Sequence, residues 1–109
     1  MSVKMKGIKT NSLKVKKGIR SELFVYSAGN DNTVRKIDSN GNEVWVFTGH
    51  TSNVWGVAVD QNGYVYSVSS DNTVRKIDPD GNEVWIFTGH TDNVRVVAVD
   101  PGTHGAGFW

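Results

Sequence analysis

An all-β chain built from one repeated sheet unit is predicted by three observations. Runs of β-branched and aromatic residues recur between short clusters of Asn, Asp and Gly. No stretch carries the apolar period of an amphipathic helix. The chain also repeats itself at a spacing of 40 residues. Val25–Asp60 aligns without a gap with Val65–Asp100, differing only at Ala28, Gly29, Asn30, Ser39, Asn40, Val46, Ser52, Trp55 and Gly56.

Met1–Asn11 shows no sustained period. Across Ser12–Arg20, Leu13 and Val15 alternate with lysines, a pattern compatible with an edge strand. Residues 1–22 are therefore read as a basic arm containing at most a degenerate strand. Leu23–Gly29 alternates Phe24 and Tyr26 with Val25 and Ser27, as a strand does. Asn30, Asp31 and Asn32 supply turn chemistry, because Asn and Asp tolerate left-handed backbone and bond their own main chain. Thr33–Asp38 is the next strand, and Ser39–Asn42 is a hairpin whose Gly41 can take positive φ. Glu43–Thr48 is apolar on both faces, as expected of a strand held between neighbouring sheets. After the loop Gly49–Asn53 the cycle restarts with Val54–Asp60, Tyr64–Ser70, Thr73–Asp78, Glu83–Thr88 and Val94–Asp100. Residues 101–109, with a Pro and three Gly, break the repeat. A period near 40 enclosing four strand-sized runs is the signature of propeller blades, small twisted sheets packed face to face around an axis. The expected units are a blade at 23–49, a second at 54–89 and an additional strand at 94–100.

Composition narrows the function classes. The 109 residues are 38% apolar and include no cysteine, which removes disulfides and thiolate metal sites. No apolar run reaches membrane-spanning length, and no apolar stretch follows the early lysines as a secretory signal requires, so a cytoplasmic location is the default expectation. The net charge of +1 is unevenly spread: the first twenty residues hold seven basic residues and no acid, and the remainder holds eleven acids against five basic residues. A solvated arm beside an acidic repeat body accounts for this. Attraction to nucleic acid or an anionic membrane is the alternative, but no aromatic residue interleaves the lysines to stack on bases.

Gly49-His50 and Gly89-His90, each followed by a valine-rich strand, with Asp31 or Asp71 in a tight turn and then TVRKID, resemble WD-repeat propeller blades. Ile37-Asp38 and Ile77-Asp78 stand where that family usually has Trp-Asp. The spacings Asp38-x-x-Gly41-x-x-x-Trp45 and Asp78-x-x-Gly81-x-x-x-Trp85 are also similar to quinoprotein-type propeller blades, one residue short between Asp and Gly. The WD resemblance implies a structural hydrogen-bond network in which His50 meets Asp71 with Ser67 as the hydroxyl. Its counterpart set is His90, Asp31 and Ser27.

The same residues could be mistaken for general-base pairs, but catalysis also needs an accessible nucleophile and a pocket. Asp78-Pro79-Asp80-Gly81-Asn82-Glu83 has some flavour of a calcium loop, yet Asp38–Glu43 carries one carboxylate fewer and neither reaches a twelfth-position Glu. No enzyme activity, metal or cofactor is expected. Lys36 and Lys76 either snorkel along an apolar wall or hold an anionic ligand between blades. Trp55 and Arg95 occupy one repeat position beside the loops carrying Asn53 and Asn93, which makes these four the candidate partner-binding residues.

The expected function is a non-catalytic interaction scaffold that binds protein or peptide on the loop face. The alternative is a multivalent small-ligand or glycan-binding module with sites between blades. Two blades expose sheet faces and edges, whereas propellers have about four to eight. Val94–Asp100 is an innermost strand by register and the first blade lacks a good one. It is therefore expected to complete the first blade of a neighbouring chain, setting His90 against that neighbour's Asp31. Head-to-tail contacts of this kind must close into a ring. A homotrimer is favoured and a homotetramer is the alternative, while Ser12–Arg20 competes for the role of missing strand.

Overall fold

The computed structural model describes residues 23–102. The basic arm, its Ser12–Arg20 segment and residues 103–109 lie outside the described residues. The first sheet contains β1 (Phe24–Ala28), β2 (Val34–Asp38) and β3 (Glu43–Phe47) in that order. The second contains β4 (Val54–Val59), β5 (Val65–Ser69), β6 (Val74–Ile77) and β7 (Glu83–Phe87), also in order. All neighbours pair antiparallel. The register slips at Lys36/Ile37 in the first sheet and at the equivalent Lys76/Ile77 in the second, so the repeated sequence produces a repeated irregularity.

An aspartate sets each hairpin. In the Asp-x-x-Gly turns, the amides of Gly41, Gly63 and Gly81 donate to the carbonyls of Asp38, Asp60 and Asp78 at 2.9–3.1 Å. The Asp carboxylates accept further amides within their own loops. Asp38 Oδ1 takes Asn40 and Asn42, and Asp78 Oδ1 takes Asp80 and Asn82, all at 2.9 Å. These carboxylates organise main chain, which is the plain-hairpin account of the loop that resembled a calcium site. In the tight β1–β2 and β5–β6 turns, Asn32 and Asn72 both adopt φ 71°, a left-handed conformation that Asn tolerates.

The core lies between the sheets. Val34 and Phe47 of the first cluster with Val54, Val65 and Ile77 of the second, and Tyr26, Ala28, Trp45 and Val57 pack around them. Trp45 closes the seam by donating its indole N–H to the Pro79 carbonyl at 2.9 Å. Its twin Trp85 is exposed, with no third sheet against it among the described residues.

Val94–Asp100, expected as a strand, carries no strand assignment. Its start is placed as the repeat dictates: the Val94 amide donates to the Ser69 carbonyl at 3.0 Å, just as Val54 donates to Gly29 at 3.1 Å. Beyond that point Val54–Val59 runs along β5, whereas 94–100 meets no strand edge among the described residues to supply ladder bonds.

Candidate functional site

The most organised polar cluster is built where the Gly49–Asn53 loop meets the β5–β6 turn. His50 Nδ1 lies 2.8 Å from Asp71 Oδ2, and Nε2 lies 2.7 Å from Ser67 Oγ. Thr51 donates its amide to Asp71 Oδ2 at 3.1 Å, and Thr73 and Arg75 also bond the carboxylate. Gly49 is required by packing: a Cβ there would collide with the Phe47 ring, which meets the imidazole edge-on at a centroid distance of 5.9 Å. Glu83 holds the far end of the Arg75 guanidinium at 3.0 Å. Thr73 and Arg75 were missed from the sequence as network members. The signal was present only in part: Thr73 and Arg75 are two apart at the start of β6 and share a face, whereas Asp71 reaches them from the turn across the left-handed Asn72.

Burial pushes the His50 pKa down, against the opposing pull of Asp71. Burial alone would raise Asp71, but the hydrogen bonds from Thr73, His50 and the Thr51 amide outweigh it and hold the carboxyl below the usual range. His50 is accordingly neutral at pH 7, with Nδ1–H donated to Asp71 and Nε2 accepting the Ser67 hydroxyl. The set has the connectivity of a Ser-His-Asp triad. Access decides against that chemistry, because Ser67 has no solvent exposure and the imidazole is buried with it. No substrate carbonyl can reach a hydroxyl enclosed in this way, so the network fastens a loop to a turn.

The counterpart residues are separated. Asp31 keeps its local partners: the Thr33 hydroxyl at 2.6 Å and Arg35 at 3.3 Å, with Arg35 also bonded to Glu43 at 2.7 Å. His90 keeps its ring contact, Phe87 edge-on at 5.7 Å. Neither His90 nor Ser27 has a hydrogen-bonded side-chain partner among the described residues, and the structure does not bring His90 to Asp31 of its own chain. The Asp31 side chain is 58% exposed and that of Asp71 is 5% exposed.

Trp55 and Arg95 meet: the guanidinium carbon lies 5.2 Å from the indole centroid. The Trp55 indole N–H donates to Ser70 Oγ, a partner the sequence reading did not name. Asn53 accepts the Ser70 amide through its carbonyl at 2.9 Å, and Asn93 lies exposed in the matching loop. Lys36 sits over Phe24 at 4.2 Å and Lys76 over Tyr64 at 4.7 Å, each ammonium facing a ring of its own sheet. Each ammonium is thus in a cation–π contact within its own sheet. Among the described residues no group of His, Asp and Glu could hold a metal ion, and no helix is long and apolar enough to cross a membrane.

Residues 41–78 match the family described as WD domain, G-beta repeat. No curated protein matches the chain. Among solved structures, the WD40 beta propeller domain of Doa1 is similar at 27% identity and a TM-score of 0.65, over 84% of this chain and 30% of that one. The WD40 repeats of RRP9 share the fold at 24% identity and a TM-score of 0.61, over 64% of this chain and 24% of that one. The chain thus spans less than a third of either structure.

Proposed function

From the premise that the two sheets are WD-repeat propeller blades, we propose a non-catalytic interaction scaffold, assembled from several copies and binding protein or peptide on its loop face. WD40 propellers generally serve as protein-interaction scaffolds. The observation that carries the finer reading is the Trp55–Arg95 pair. Trp55 is 43% exposed, Arg95 is exposed above it, and the two repeats diverge at this position together with the neighbouring Ser52/Asp92 and Gly56/Val96. Aromatic and Arg side chains are the residues most often found as binding hot spots. A guanidinium stacked on an indole suits a peptide that places an acidic residue beside an apolar one. Many of the described polar groups elsewhere are engaged in turns or in the His50 network, and the lysines that could have held an anion face their own aromatic rings. Whole two-blade chains give six blades as a trimer or eight as a tetramer, and short blades with no wide channel favour the trimer.

A peptide array probed beside a glycan array tests this reading. Acidic-apolar peptides should bind the wild type, and Trp55→Ala and Arg95→Ala should each remove most of that signal while His90→Ala assayed at high protein concentration retains it. Binding confined to glycans, or peptide binding indifferent to both substitutions, would reject the loop-face scaffold.

A further inference from the structure

We infer that the two open ends of this unit are the two sides of one selective seam, filled by a second copy of the chain. Segment 89–100 of one copy pairs with β1 of the next, and His90 enters the next copy's Ser27–Asp31 pocket. The inference deepens the oligomeric scaffold reading and rests on it.

Both sides are already shaped for each other. Phe87 holds the His90 edge as Phe47 holds His50. Thr33 and Arg35 hold Asp31 as Thr73 and Arg75 hold Asp71. The residues left uncovered are twins of those that form the core. Val25 is 56% exposed and Val65 not at all; Phe87 is 50% exposed and Phe47 7%; Val96 stands at 83%. Placing a second copy's first sheet against β7 continues the interface that joins the sheets within one chain. It would let Trp85 donate to the second copy's Ser39 carbonyl, the position equivalent to Pro79.

The choice of partner is written in the differences between the repeats. Within the chain, β4 and its loop meet β5 at three points where the repeats differ. Gly56 pairs with Val68, the Ser52 carbonyl accepts Ser69 Oγ, and Trp55 donates to Ser70 Oγ. Carried over by the same register, the seam sets Val96 against Ala28, Asp92 beside Gly29, and Arg95 beside Asn30. Both members of each contact have changed together. A small residue against Val becomes Val against a small residue, and an indole on a serine becomes a guanidinium within reach of an amide oxygen. At Gly56 an added Cβ would stand 3.7 Å from Val68 Cγ2, already in van der Waals contact, so the further γ-methyls of a valine there would have to find room beside the Val68 side chain. Segment 89–100, which carries Val96 at that position, therefore fits β1 with the smaller Ala28 better than β5 with Val68.

The experiment is a compensation cycle read as solution mass. Wild type should run at three or four times 12.0 kDa and dissociate on dilution. Ala28→Val should weaken assembly about tenfold or more by overpacking against Val96. Adding Val96→Gly should restore it, recreating the Val–Gly pair of the second blade; a simple folding defect in Ala28→Val would not be cured this way. A Val25→Cys/Val99→Cys variant, mildly oxidised, should give covalent multimers, because directly opposed strand residues lie within disulfide reach and the chain has no other cysteine. A disulfide closing within single chains, or an Ala28→Val defect that Val96→Gly leaves unchanged, would overturn the seam. A monomeric wild type that still bound peptides through Trp55 would overturn the seam and spare the loop-face reading. An assembled ring indifferent to Trp55 would do the reverse.

Discussion

His50 and His90 stand in the same sequence, Thr-Gly-His-Thr, follow the same strand and touch the same phenylalanine edge, yet one is buried and the other exposed. The same contrast runs through Asp71 and Asp31, Val65 and Val25, Phe47 and Phe87. Local sequence is nearly constant across these pairs, so it cannot be what buries them. A blade of this kind supplies half of a core and half of a polar network. The next sheet supplies the other half.

The contrast is broken most severely at the apolar twins. Phe47→Ala should cost about 3–5 kcal/mol, the usual loss for truncating a buried aromatic ring. Phe87→Ala in dilute chain should cost well under half of that, since half its surface already faces solvent. Urea unfolding of both variants measures the difference. Equal losses in dilute monomer would mean that the second sheet is covered by something other than another copy.

The next largest effect belongs to the histidines. His50→Ala leaves the buried Ser67 hydroxyl unpaired, removes one hydrogen bond from Asp71, and should cost about 1–3 kcal/mol. His90→Ala should be nearly silent in dilute monomer and should show its effect only as weaker assembly at high concentration. Peptide binding through Trp55 should survive His90→Ala once the chains are concentrated enough to assemble.

Much of this contrast was legible in the sequence, and what was not has a common cause. Hairpins set by Asp-x-x-Gly, left-handed Asn in the tight turns and the antiparallel order of each sheet depend on residues within a few positions of one another. They could be read directly. So could the 40-residue register, while the pairing of His50 with Asp71 is what the WD resemblance implies. Valine-rich composition marks Val94–Asp100 as able to form a strand, and among the described residues of this chain no edge receives it. The exposure of Trp85 has the same origin, a sheet face without a neighbour among the described residues. Thr73 and Arg75 escaped notice although their spacing was visible, since a hydroxyl and a guanidinium on a half-buried strand also suit a solvated face. The meeting of Trp55 and Arg95 required knowing how closely adjacent blades bring the starts of their innermost strands. The carbonyl oxygen of Arg95 lies 3.6 Å from where a Cβ on Gly56 would stand, a closeness no single repeat contains.

The smallest expected effect sharpens the contrast through pH. Folding lowers the His50 pKa, chiefly by burial, with Arg75 acting in the same direction and Asp71 and Glu83 opposing it. The unfolded chain therefore takes up a proton at His50 more readily than the folded one. Stability contributed by the neutral imidazole is fully present above the unfolded value near 6.5 and declines as pH falls through that value towards the lower folded one. Carboxylates stay ionised between pH 7.5 and 5.5, so a change in that window isolates the histidines from Asp71, whose own depressed pKa acts at lower pH. Urea midpoints should drop from pH 7.5 to 5.5 in wild type and in His90→Ala dilute monomer alike, and stay level in His50→Gln, which keeps polar atoms without titrating. A drop persisting unchanged in His50→Gln would place the sensitive proton elsewhere.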